Sequence, residues 1–130
     1  MSPARLLLAD DHPFVLEGLV RLLKDTFDIV AAVTDGNLLV EAATRLRPDV
    51  IVTDISMPGL NGIEALKRLK AAGVDARVIV LTMHAETEVV DELIRAGASG
   101  FVLKCLAASE LRSTIEGVLS GKVYRPPDPV

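Results

Sequence analysis

Asp49-Val-Ile-Val-Thr-Asp54-Ile-Ser-Met-Pro-Gly-Leu-Asn-Gly62 is the stretch that decides how this chain folds. Val50, Ile51 and Val52 form a short β-branched run, the pattern of a parallel strand covered on both faces. The run ends in Asp54 and breaks into a Pro/Gly loop before the next helical pattern. A carboxylate in that position sits at the carboxyl edge of a sheet, where open α/β folds place their ligands. Taken alone, the stretch fits equally a carboxylate that solvates a turn and one that does chemistry.

Outward from this strand, the same unit repeats. On the amino-terminal side, Leu6-Leu7-Leu8-Ala9 is an apolar run stopped by Asp10-Asp11. Pro13 suits a first helical turn, and Val15, Leu16, Leu19, Val20, Leu22 and Leu23 recur at helical spacing to about Lys24. Ile29–Val33 reads as a second strand. Asp35-Gly36 breaks it, and Leu38–Leu46 follows as a helix closed by Pro48. On the carboxyl-terminal side, Ile63, Leu66 and Leu69 stripe a helix that Gly73 caps. Arg77–Thr82 is a fourth strand, Glu86–Ala96 a helix with acids in its first turn, and Gly97 its stop. Ser99–Leu103 is a fifth strand ending at Lys104, and Ser109–Leu119 a final helix with Leu111, Ile115, Val118 and Leu119 as its apolar face.

Five strands alternating with five helices predict a doubly wound α/β fold, its parallel strands joined by right-handed crossovers. The chain of 130 residues suits one such domain, and with half its residues apolar and few aromatic, aliphatic side chains must fill the core. A net charge of −4 argues against direct binding of nucleic acid by this chain. The single cysteine, Cys105, permits no internal disulfide, which fits a reducing cytosol. The apolar run at the start is too short for a signal peptide, and no segment reaches the length of a membrane span. The expectation is a soluble, cytoplasmic domain. After Val123 the composition changes: Tyr-Arg-Pro-Pro-Asp-Pro-Val130 reads as the start of an extended linker, leaving residues 1–122 as the folded unit.

Four strands end in residues that can do chemistry: Asp10 and Asp11, Asp54, Thr82, and Lys104. Parallel strands put all of them at one edge. If strands one and three are neighbours, the three acids fall within one or two strand spacings, roughly 5 Å each. Clustered carboxylates repel one another and call for a cation. Mg²⁺ suits such a set, since it takes one or two carboxylates, keeps waters and accepts a phosphate oxygen. Lys104 could balance a phosphoryl group, and Thr82 could donate to it. Phosphoryl transfer asks for this kind of positioning and neutralisation. With no Ser/His/Asp arrangement visible, the natural nucleophile is a carboxylate, giving an aspartyl phosphate. Singly, each residue has an ordinary reading: Asp11 as a helix cap, compatible with metal binding, and Thr82 and Lys104 as solvated strand ends. Their convergence on one edge is what favours a site.

These residues resemble the signature of a receiver domain of two-component response regulators: Asp10-Asp11, Asp54-Ile-Ser-Met-Pro-Gly59 with Gly62, Leu81-Thr82, and Lys104, over residues from about 4 to 121. Asp10-Asp-His-Pro-Phe-Val-Leu-Glu-Gly-Leu19 and Ala96-Gly-Ala-Ser-Gly-Phe-Val-Leu-Lys104 are similar to the NarL/FixJ subfamily, whose receivers precede a LuxR-type helix-turn-helix. The resemblance implies a flavodoxin-like (βα)5 fold with strand order 2-1-3-4-5. It implies Asp54 as phosphoacceptor, Mg²⁺ held by Asp10, Asp11, Asp54 and the Ser56 backbone carbonyl, and phosphoryl contacts from Thr82 and Lys104. Thr82 and Phe101 would form the switch. The implied partners are a sensor histidine kinase and a second copy upon phosphorylation, with DNA reached only through a C-terminal helix-turn-helix domain that this chain does not contain. The only catalysis implied is of the domain's own phosphorylation and dephosphorylation. A stand-alone interaction module that is never phosphorylated is the alternative. A phosphohydrolase ranks lower, because Ser56 stands where such enzymes commonly carry a second acid.

The chain departs from the family at three places. Phe101 replaces the usual switch Tyr and has no hydroxyl. Met83 follows Thr82 where many members have a small residue, which would narrow access. Cys105 stands where many have a cis proline, and a cis bond without Pro would cost about 3 kcal/mol. His12 and His84 flank the acids without the spacing of a zinc set, so surface or packing roles are expected. Cys105 is expected to pack as a small hydrophobe rather than act as a redox switch.

Overall fold

A computed structural model of the protein describes residues 3–83 and 87–123. The expected alternation is present as β1 (Arg5–Ala9), α1 (Pro13–Leu23), β2 (Asp28–Val33), α2 (Gly36–Leu46), β3 (Val50–Asp54), α3 (Gly62–Ala71), β4 (Arg77–Thr82), α4 (Thr87–Arg95), β5 (Gly100–Leu103) and α5 (Ala107–Leu119). All five strands are parallel, in the order β2-β1-β3-β4-β5. This is the flavodoxin-like arrangement expected, and β1 and β3 are indeed neighbours, with Ala9 opposite Thr53.

The period-2 alternation of the strands sorts the core into two layers. Leu6, Leu8, Val52, Ile79, Leu81 and Val102 face α1 and α5, which contribute Leu16, Leu19, Leu23, Leu111, Ile115 and Val118. Leu7, Ala9, Ile51, Val78, Val80 and Phe101 face α2, α3 and α4. Every residue of β3 is buried, as the β-branched run requires of a central strand. At the edge, β2 is mostly half-buried. The helix connecting β1 to β2 and the one connecting β2 to β3 thus lie on opposite faces. The sheet reverses its winding between β1 and β3, which opens a crevice at their carboxyl ends.

Several boundaries differ from expectation for local reasons. Helix α2 begins at Gly36 rather than Leu38 because the Asp35 carboxylate accepts from Leu38 N–H at 2.8 Å and caps it. Helix α5 begins at Ala107, two residues before the Ser109 expected to start it, continuing directly from a 3₁₀ turn over Lys104–Leu106. Leu119, assigned to the apolar face of α5, is 41% exposed. The loop after Asp54 is itself structured. Ser56–Met57 pairs antiparallel with Leu60–Asn61 around Pro58 and Gly59, whose φ of +91° is open to glycine. Pro58 O accepts from Gly36 N–H at 3.0 Å, and Ile55 O from Gly62 N–H at 2.8 Å, so the hairpin is tied to both α2 and the strand end. His84, Glu86 and the tail Tyr124–Val130 lie outside the described residues. No helix of the described residues is long and apolar enough to cross a membrane.

Candidate functional site

The parallel register brings the predicted residues together. Asp10 follows β1 directly, its N–H donating to Val33 O at 3.1 Å, and its side chain is completely buried. Asp54 ends β3 opposite Leu81, which places Thr82 one residue further along β4 and in turn opposite Leu103, the last residue of β5. Asp54 and Thr82 are both buried, at 6% and 5% exposure. A buried carboxylate is destabilised without a counter-charge, and Lys104 supplies one. Its Nζ donates to Asp54 Oδ2 at 2.9 Å and lies 3.1 Å from Asp10 Oδ2.

Burial alone would lower the Lys104 pKa. The contacts with Asp54 and Asp10 and their negative charges outweigh it and raise the pKa above its ordinary value. One ammonium does not satisfy three carboxylates. Asp10 Oδ2 and Asp11 Oδ1 are buried atoms that receive no well-directed hydrogen bond, although Lys104 Nζ approaches the first within ion-pair distance. Asp10, Asp11, His12 and Asp54 can each turn a ligand atom to within 4.8 Å of the others. That span suits one dication about 2–2.5 Å from each oxygen. The three carboxylates of the set fit Mg²⁺, and the orphaned oxygens are the groups such an ion would satisfy.

The remaining predicted residues fall as follows. Asp11 does not cap α1: the N-cap is His12, and no side chain caps the helix. Ser56 starts the hairpin two residues beyond Asp54, its backbone paired with Asn61. Phe101 is buried on the α4 side of the sheet, in one cluster with Val90 and Leu93. Met83 is 67% exposed. Among the described residues there is no cis peptide bond, so Lys104-Cys105 is trans, and the backbone goes straight into the 3₁₀ turn. Cys105 is exposed, which overturns its expected packing as a small hydrophobe. His12, expected to have a surface or packing role, has a ring 67% exposed whose Nδ1 lies 3.0 Å from Asp11 Oδ1 and 3.2 Å from Asp10 Oδ1. Its adjacency to the acidic pair was a signal for this, but the direction of the ring was not.

The family model of the response regulator receiver domain matches residues 6–116. The chain is 40% identical over 121 residues to a nitrate/nitrite response regulator protein homolog of Haemophilus influenzae, covering 92% of this chain and 58% of that protein. It is 36% identical over 122 residues to the transcriptional regulatory protein DegU of Brevibacillus brevis, covering 92% and 52%. It thus spans little more than half the length of these curated relatives. Among solved structures, a LuxR-family two-component response regulator from Aurantimonas sp. SI85-9A1 superposes with a TM-score of 0.90 at 36% identity, covering 98% of this chain and 92% of that one. The non-phosphorylated receiver domain of the stress response regulator RcsB from Escherichia coli superposes with a TM-score of 0.89 at 29% identity, covering 97% and 100%.

Proposed function

The chain belongs to the response regulator receiver domain family, and from that we propose that it is a phosphorylation-controlled switch with Asp54 as its phosphoacceptor. The observation that carries this reading is the shared ammonium: Lys104 holds Asp54 and Asp10 together at 2.9 and 3.1 Å in a buried, acid-rich crevice. A buried carboxylate at a strand end, paired with an ammonium that can also face a phosphoryl group, is placed as a nucleophile.

In the transfer, an Asp54 oxygen forms a bond to phosphorus as the P–N bond of a kinase phosphohistidine breaks. The imidazole leaves with the electron pair and is protonated. Lys104 turns from the carboxylates to the phosphoryl oxygens, and the Thr82 hydroxyl donates to one of them. Asp10, Asp11, Asp54 and the Ser56 carbonyl would hold Mg²⁺, which when bound neutralises the carboxylates and the incoming phosphoryl charge. The movement of Thr82 is passed to Phe101 on the neighbouring strand, and the readout falls on α4, β5 and α5.

On this reading the donor is a sensor histidine kinase, and phosphorylation favours a homodimer. Residues 1–122 form the receiver, and 123–130 begin a linker to a helix-turn-helix effector. Relatives named as transcriptional regulatory proteins support a transcriptional output in the whole protein, which on this reading binds DNA and acts in the cytoplasm. Turnover of a free phosphate ester is not expected. The test is labelling by a small phosphodonor with Mg²⁺. Wild type should incorporate one phosphoryl group and Asp54→Asn none. Equal labelling of the two refutes the assignment.

A further inference from the structure

His12 is held against the acidic cluster by its own backbone. Its N–H donates to Asp10 Oδ1 at 2.9 Å, and Pro13 follows at the first helical position. With the main chain fixed in this way, Nδ1 reaches both members of the acidic pair, at 3.0 Å from Asp11 Oδ1 and 3.2 Å from Asp10 Oδ1. The ring is largely exposed, and its Nδ1 is turned to these carboxylates. The Asp11 approach has the distance of a hydrogen bond without its direction, since Asp11 Oδ1 receives none. On the other side of the cluster, fully buried Asp10 also has an oxygen without a well-directed donor. A nitrogen and three carboxylates therefore converge on one space, with ligand atoms within 4.8 Å of each other.

We propose that His12 is a fourth side-chain ligand of this centre, and that it makes the centre select first-row transition dications such as Co²⁺ and Zn²⁺ over Mg²⁺. The chemistry follows from ligand type. Mg²⁺ is a hard ion that prefers oxygen, keeps its waters and gains little from an imidazole. Imidazole suits Zn²⁺ and its neighbours, whose affinity also rises along the series towards copper. The three carboxylates serve both classes of ion, so His12 carries the discrimination. The inference rests on the metal site proposed above and adds its specificity.

His12 makes no side-chain cap for α1, so His12→Ala removes the nitrogen without removing a helix-capping bond. The experiment titrates the full chain and this variant with Zn²⁺, Co²⁺ and Mg²⁺ separately, by competition with a chelating dye and by the visible spectrum of Co²⁺. Imidazole ¹⁵N shifts of His12 are recorded in parallel. The expected result is a loss of about 10-fold or more in Zn²⁺ and Co²⁺ affinity in the variant, with Mg²⁺ affinity changed by less than about 3-fold. In the wild type, Zn²⁺ should shift the Nδ1 resonance and Mg²⁺ should leave it in place. An equal change for all three ions, or no change for Zn²⁺ and Co²⁺, overturns the proposal. If wild type binds Mg²⁺ and is labelled on Asp54 while His12→Ala leaves Zn²⁺ affinity intact, only the role of His12 fails. If wild type binds none of the ions, the metal site itself fails with it.

Discussion

Replacing Lys104 with methionine isolates the interaction on which the site depends. The substitution keeps an unbranched side chain but removes the ammonium that the buried Asp10 and Asp54 share. At separations of 3.1 and 2.9 Å, each ion pair is worth about 5–6 kcal/mol at an effective dielectric near 20, before desolvation. Desolvation of the three groups cancels much of that. Lys104→Met should therefore destabilise the metal-free protein by about 2–4 kcal/mol, lowering Tm by roughly 8–16 °C for a domain of this size. Mg²⁺ should replace the missing charge. The variant should bind it more tightly than wild type, and saturating Mg²⁺ should recover most of the lost stability. Urea denaturation followed by circular dichroism, with chelator and with Mg²⁺, measures both terms. A loss that is the same with and without Mg²⁺, or that stays below about 0.5 kcal/mol, would refute the reasoning.

Because its partners raise the Lys104 pKa in the folded state, its contribution is complete below about 10.5 and disappears as pH rises through the raised value. The stability difference between wild type and Lys104→Met should accordingly hold steady at neutral pH and shrink only in the strongly alkaline range, as followed by denaturation at stepped pH. Gly59→Ala would place a Cβ 2.7 Å from Asn37 Nδ2, which can move aside, and would leave alanine at φ +91°, which it cannot relieve. A loss of about 1–2 kcal/mol is expected from that backbone strain, and an unchanged unfolding midpoint would show that the hairpin turn rearranges freely. Ile115→Ala empties a fully buried position between α5 and the sheet. It should cost about 2–5 kcal/mol in chemical denaturation while leaving Asp54 labelling intact below the melting range, and loss of labelling in the folded variant would contradict that separation.

Much of this structure is legible in the sequence. The β-branched run Val50–Val52 and its aspartate predicted a buried central strand, and β3 is buried throughout. Reading failed where the deciding interaction was not periodic. Asp35 extended α2 through a side-chain cap, and the Pro58-Gly59 pair made a hairpin where only a loop was expected, although a Pro-Gly step is itself a turn signal. Leu119 and Cys105 had apolar identities yet stand exposed, since hydrophobicity states a preference and the surrounding elements decide burial.

The sequence by itself determined which residues stand at the ends of strands, because a strand and its terminator are written in a few consecutive positions. Asp10, Asp11, Asp54, Thr82 and Lys104 all follow from that local grammar. Their adjacency does not. Only the tertiary structure put β1 beside β3 and brought Lys104, 50 residues from Asp54, within 2.9 Å of it. It also turned His12 onto the two acids that precede it. Strand pairing and side-chain direction are set by the joint burial of distant apolar faces and by charges that must find partners away from water. No window of sequence contains those interactions.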